Sequence, residues 1–418
     1  MQFALNSTAR KALVLSIVLL LSAAYLTITG RRFLAAFYGE RVEVSSLQRA
    51  TSLDPTNAEF RNHLGRYQEL VARDPGSAIA PFRAAVAVNP HSARYWFDLA
   101  SAYQILGDTP NQTAALERAI EADPTTPDVA WEAANLYLVQ GENQKALREF
   151  RVVLSNDPYL AGAAIQFCWR INPDVDALLH DVIPPRADAY IAFLSLLMNK
   201  EETAGTAKVW TALMQTSDKF ELRLALDYFR YLILHQDVDQ AQLVWRQAAH
   251  RFALDSYIPN SANLIVNGNF SLDVLNGGQD WQYQKQPSVE LTLDPSDFHG
   301  GRRSLLITFD GPAVADAGVL QFVPVQPDTT YEFSAYYKIG ELEGAGAPHF
   351  TLQDAYDKTI YYDSDELKEA GFWKSVNGEL TTGPDCRLLI LHIRRLPEGS
   401  PIRGKLWVDD FHLARKRS

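Results

Sequence analysis

Residues 82–158 read FRAAVAVNPHSARYWFDLASAYQILGDTPNQTAALERAIEADPTTPDVAWEAANLYLVQGENQKALREFRVVLSNDP. Down this stretch the same residue classes return at a fixed step. Phe82, Leu116 and Phe150 follow one another at 34 residues, and so do Ala85, Ala119 and Val153. Tyr103 and Tyr137 keep the step, as do Gly107 and Gly141. Pro55, Pro90, Pro124 and Pro158 fall at steps of 35, 34 and 34. Working outward, the pattern begins at Asn57 and ends at Leu160. A 34-residue period filled with helix formers implies one helical hairpin per repeat. Such hairpins must stack, because no single pair buries its apolar face.

The local chemistry supports that spacing. Small residues such as Ala85, Ala119 and Ala146 let helices approach, and large ones such as Phe82, Leu116 and Phe150 fill the gap between pairs. Gly107 and Gly141 sit where a helix must stop and turn. Asp54-Pro55, Asn89-Pro90, Asp123-Pro124 and Asp157-Pro158 end each second helix, since proline disfavours helix in the residue before it. With Trp96, Leu99, Tyr103, Gly107, Leu116, Ala119 and Pro124 in one repeat, and Tyr137, Gly141, Ala146, Phe150 and Pro158 in the next, the stretch resembles the tetratricopeptide family. Gln112 and Ala133 depart from the residues that family prefers.

A chain of 418 residues with 47% hydrophobic content exceeds one ordinary domain. The net charge of −11 argues against a nucleic-acid partner, which calls for a basic surface. The two cysteines, Cys168 and Cys386, make neither a disulfide framework nor a metal knuckle, and read as buried thiols.

Residues 12–29, ALVLSIVLLLSAAYLTIT, carry no charge and come close to the ~20 residues a bilayer core requires. Arg10 and Lys11 precede them; Arg31 and Arg32 follow. Residues 1–32 are read as a single-pass anchor, with a cleaved signal peptide and a buried core helix as the alternatives. Basic residues on both flanks leave orientation open. The short leading segment favours a bacterial inner-membrane anchor with the bulk of the chain exported to the periplasm. Residues 33–56 read as one capping helix, giving 33–160 as cap and repeats. Residues 161–255 read as degenerate helical pairs continuing the solenoid, because Trp210 and Trp245 echo each other at a step of 35.

Residues 256–262, SYIPNSA, form a turn-rich junction. Beyond it the period falls from 3.6 to 2, with apolar runs at 305–309, 319–325, 331–339, 350–353, 387–393 and 405–413. These read as strands of a sandwich over 262–418. The expected fold class is therefore multidomain, α then β: an N-terminal transmembrane helix, an α-helical solenoid, then a β-sandwich jelly roll. The opening Asn263-Leu-Ile-Val-Asn-Gly-Asn-Phe270, then Trp281, Thr329 to Lys338, Phe372-Trp373 and the closing Leu406 to Leu413 resemble the carbohydrate-binding jelly rolls of the galactose-binding-like superfamily.

That resemblance implies a glycan ligand, and sugar recognition needs aromatic faces and hydroxyl-reading polar groups. Tyr283, Tyr361, Tyr362 and Arg394 are the candidates, against ordinary packing on the sheets. The resemblance also implies a structural calcium near the joined ends of the sandwich, where Asn269 and Asp410 occupy the matching regions. Ser271 replaces the acidic residue that follows the family's N-G-x-F motif. Phe97 and Trp131, 34 apart on the first helices of their repeats, are placed with Gln104 and Asn135 in a groove for a protein partner; stacking between repeats is the alternative. No G-x-S-x-G, H-E-x-x-H or Walker loop is present, so no catalysis is expected. A carboxylate pair for glycoside hydrolysis depends on separation in the fold. The pairing of modules points to a membrane-anchored accessory scaffold for bacterial surface or extracellular polysaccharide. A protein-only scaffold with a structural cap and a polysaccharide-modifying enzyme are the alternatives.

Overall fold

The computed structural model describes residues 7–311, 314–368, 371–395 and 400–417. Fourteen α-helices precede ten strands among these residues. The chain divides into two compact units, Met1–Phe193 and Leu194–Ser418, with the boundary inside α11 (Ala187–Asn199).

In the first unit, α1 (Thr8–Gly39) is long and apolar enough to cross a membrane, and none of its most apolar window is buried. Residues 1–6 of the expected anchor lie outside the described residues. The expected single helix over 33–56 is replaced by a break: α1 runs on to Gly39, and α2 (Val44–Leu53) starts after a turn. Gly39 lies against the Phe60 ring, so the first repeat helix packs where α1 ends.

The repeats are three hairpins: α3 (Ala58–Arg66, running on as a π turn to Val71) with α4 (Pro75–Val88), α5 (Ala93–Ile105) with α6 (Thr109–Ala122), and α7 (Pro127–Gln140) with α8 (Asn143–Asn156). Phe82, Leu116 and Phe150 are fully buried, as are Ala85, Ala119 and Val153. The periodic prolines work with their neighbours. Asn89, Asp123 and Asp157 adopt extended backbone before proline. Each side chain then accepts a downstream backbone N–H, from His91, Thr126 and Tyr159 respectively. Asp74 and Asp108 cap α4 and α6 by accepting from Ser77 N and Asn111 N. Gly141 ends α7 at φ 77°, a left-handed position that suits glycine. α9 (Ala161–Ile171) and α10 (Val175–Asp181) complete the unit.

The second unit opens with α12 (Thr203–Gln215), α13 (Leu222–Leu234) and α14 (Val238–Arg251). Trp210 and Trp245, the echoing pair, are both fully buried; their indole N–H groups donate to Gln247 Oε1 and Tyr257 O. Ten strands follow: β1 (Gln282–Tyr283), β2 (Val289–Asp294), β3 (Ser304–Gly311), β4 (Asp316–Pro324), β5 (Thr330–Gly344), β6 (Pro348–Asp354), β7 (Ile360–Asp363), β8 (Lys374–Thr381), β9 (Leu388–Arg395) and β10 (Ile402–Arg415). They form two five-stranded antiparallel sheets, ordered β1-β4-β9-β6-β7 and β2-β3-β10-β5-β8. The layer between them holds Phe270, Trp281, Phe309, Phe333, Phe350, Leu391 and Phe411.

The opening motif closes the sandwich. Gly268 O accepts from Phe411 N, and a Cβ on Gly268 would run into the Phe411 carbonyl. Asn263 bridges the same strand, donating to Phe411 O and accepting from Leu413 N. The helices dock on this sandwich. Tyr356 Oη donates to Ile233 O at 3.0 Å, and the loop glycines Gly277 and Gly278 lie against Leu226 and Trp245. Gly278 has φ 62°, and a side chain there would strike the Trp245 indole.

Candidate functional site

Strand alternation decides which residues share a face. In the first sheet Val319, Val323, Phe350, Leu352, Leu391 and Ile393 point into the core. Their alternates point away from it. Register places Gln282 opposite Leu320, Leu320 opposite His392, His392 opposite Thr351, and Thr351 opposite Asp363. One row thus crosses all five strands on the outward face. It spans roughly 19 Å at the usual strand spacing. The adjacent row places Asp316 and His349 on either side of Arg394.

These polar side chains are organised. His349 Nδ1 meets Asp363 Oδ1 at 2.5 Å, and Thr351 Oγ1 donates to the same oxygen at 3.0 Å. His392 Nδ1 meets Asp316 Oδ2 at 3.1 Å. An ionised carboxylate only accepts, so each Nδ1 is the donor and each Nε2 turns the other way. His349 and His392 are 6% and 9% exposed, and both Nε2 atoms are buried without a hydrogen-bond partner. Buried polar atoms in native folds are normally satisfied. Both orphaned nitrogens belong to side chains of the outward face of the first sheet.

The residues expected to bind sugar are placed differently. Tyr283 packs against the core, and its hydroxyl is buried without a partner; burial pushes this phenol up. Tyr362 also packs inward, 5.2 Å from Phe333, and covers Gly378 on β8. Tyr361 rests against the core with its hydroxyl at Gly383. These three tyrosines close the sandwich and offer no shared stacking platform. Arg394 does lie on the outward face, between Asp316 and His349 in register. The histidines and their carboxylates went unread because strand order makes the pairs: Asp316 and His392 are 76 residues apart.

Asn269 and Asp410 do reach one corner, beside Gly301 and Gly300. Asn269 Oδ1 accepts from Ser271 N, and Asp410 Oδ2 meets His299 Nδ1 at 2.5 Å. Neighbouring Asp409 accepts from the N–H groups of His299, Gly300 and Asp410; its burial nonetheless pushes the carboxyl up to about 6. Among the described residues no group of three or more His, Cys, Asp or Glu side chains is arranged to hold a metal ion. Asn269 Oδ1, Asp410 Oδ2 and both Asp409 oxygens accept from protein donors. Cys168 and Cys386 are free, buried thiols, both pushed up to about 12 by desolvation.

In the repeats, Phe97 is buried. Trp131 sets its edge against Phe150 and Phe167, at 5.6 and 5.7 Å, and Asn135 Nδ2 donates to Trp131 O in its own helix. Trp131 thus ties its repeat to α9; Gln104 is half-buried on α5. The cross-repeat polar contacts lie one residue along. Asn62 donates to Asp98 at 2.7 Å, and Ser101 to Glu69 at 3.0 Å. Burial pushes the Glu69, Asp98 and Glu132 carboxyls up. Asp98 and Glu132 stand 34 apart, beside Phe97 and Trp131, so the period itself held that signal.

Residues 69–125 and 113–161 match a tetratricopeptide repeat model, and residues 262–394 match a carbohydrate binding domain model. A solved structure titled "CBM4 structure and function" is 16% identical, covering 36% of this chain and 99% of its own, at a TM-score of 0.28. A family 16 carbohydrate binding module is 20% identical over 36% of this chain and 99% of its own, at 0.26. A structure from the functional characterization of Pseudomonas aeruginosa pilF is 16% identical over 54% of this chain and 92% of its own, at 0.26. At these scores the three add nothing to the family matches. No curated protein matches the chain. The repeats suggest protein partners and the sandwich suggests carbohydrate. The chain thus carries tetratricopeptide repeats within residues 69–161 and a domain of the carbohydrate binding type over residues 262–394.

Proposed function

We propose that this protein is a membrane-anchored scaffold of the bacterial cell envelope, holding a protein partner along its repeats and a glycan on the outward face of its first sheet. The observation that carries the glycan site is the polar row across the outward face of the first sheet, in which Asp363 fixes His349 and Asp316 fixes His392. Sugar hydroxyls both donate and accept, so the polar side chains from Gln282 to Asp363 are their matching partners along the row. The exposed, apolar α1 supports anchoring at the inner membrane. The role is tethering in surface or extracellular polysaccharide assembly, where two weak sites on one chain raise effective concentration, and no bond is made or broken.

The test is a glycan array probed with the full chain in detergent micelles, followed by titration of the strongest hit. His349→Gln and His392→Gln are each expected to weaken binding about tenfold, the loss of one or two hydrogen bonds. An empty array, or hits indifferent to both changes, sinks the glycan site. It would favour the reading in which the sandwich is a structural cap for the helices. The docking of Gly277, Gly278 and Tyr356 on α13 and α14 supports that second reading.

A further inference from the structure

A cavity of about 250 Å³ opens within the second unit, between α13 and the β1 end of the outward face. Arg223, Asp227 and Arg230 line it from the helix; Asn276, Gln282 and Phe322 line it from the sandwich. The three charged residues fall four and three apart, on one side of α13. Their charges do not cancel. Arg223 Nε reaches both oxygens of Asp227, at 3.0 Å each. Arg230 is exposed and has no carboxylate partner among the described residues. One full positive charge is left over.

The sandwich side supplies neutral donors. Gln282 is only 7% exposed, and its side-chain amide makes no hydrogen bond among the described residues. Asn276 Oδ1 accepts from Tyr283 N, which leaves its NH₂ group for a ligand. Phe322 and Leu226 give the cavity two apolar walls. Gln282 also begins the polar row that ends at Asp363, so cavity and row are continuous.

We propose that this cavity takes the carboxylate of an acidic sugar, a uronic-acid unit of the polymer whose neighbouring units lie along the row. Arg230 pairs with the carboxylate, the amides of Asn276 and Gln282 meet ring hydroxyls, and Phe322 takes an apolar ring face. The proposal rests on the glycan reading above and narrows it to anionic polysaccharide. The volume holds one ring, not a chain.

The test uses the full chain in detergent micelles at low salt. The probes are oligomers of glucuronic, galacturonic and mannuronic acid, each beside its carboxyl-reduced neutral partner, measured by titration calorimetry. At least one acid form is expected to bind about tenfold tighter than its reduced partner. Arg230→Gln is expected to bring that pair within about twofold. Inorganic phosphate at millimolar concentration is expected not to displace the oligomer, which separates a sugar site from a bare anion site. Equal affinity for acid and reduced forms overturns the acidic site alone, as does a preference that survives Arg230→Gln or vanishes with phosphate. Failure of every pair to bind overturns it too, and an empty glycan array beside that result removes the glycan reading as well.

Discussion

At the scale of single residues, the second unit carries a carboxyl under tension with its surroundings. Asp280 is fully buried; Oδ2 accepts from Leu275 N, while Oδ1 has no partner. Desolvation pushes its carboxyl up from 3.8 to about 7. The fold therefore favours the neutral acid. Its stabilising contribution is complete below about pH 4 and is lost as pH rises to 7, on the order of 2–4 kcal/mol. Asp409, raised to about 6, acts in the same sense over a narrower window. Asp280→Asn should keep the bond from Leu275 and remove the charge. Calorimetric melting of both proteins from pH 5 to 8 is expected to show the variant gaining on the wild type by several degrees. Parallel curves would remove Asp280 as the cause. Residue-level reading from sequence failed where topology makes the partners. Tyr361 and Tyr362 looked like an exposed pair, yet both pack on the core between the sheets, one with its hydroxyl at Gly383 and the other at Phe333 and Gly378.

Elements were far more legible, for a physical reason. Helical hairpins are held by contacts close in sequence, so their packing rules leave a local period. Leu116 is the middle member of the period and is fully buried. Leu116→Ala is expected to cost 2–5 kcal/mol, the transfer loss plus a cavity. The repeats on either side should lose protection in hydrogen exchange as well, since each repeat is stabilised only by its neighbours. Protection lost in α5 and α6 alone would contradict a cooperative stack. In the sandwich, the six apolar runs all became strands, β3, β4, β5, β6, β9 and β10. β1, β2, β7 and β8 were missed. They are the outer strands of the two sheets, short or half exposed, and lack the apolar content that announces a central strand.

For the whole molecule, composition gave the order of modules but not where the compact units part. No turn-rich or charged stretch marks the 193/194 boundary, because the chain is helical on both sides of it. The boundaries read from sequence, at 32/33, 160/161 and the 256–262 junction, follow changes of pattern, whereas the compact units follow packing, which groups α12 to α14 with the sandwich. Topology is the prediction that belongs here. With a C-terminal epitope tag on the full chain, protease added to spheroplasts is expected to remove the tag while a cytoplasmic marker survives. A tag that survives reverses the orientation.

The glycine seat of Trp245 and the bond from Tyr356 to Ile233 have a mechanical consequence. The first sheet is held directly against α13 and α14. A pull on that sheet is transmitted as load into the helical pair instead of being dissipated by an uncoiling linker.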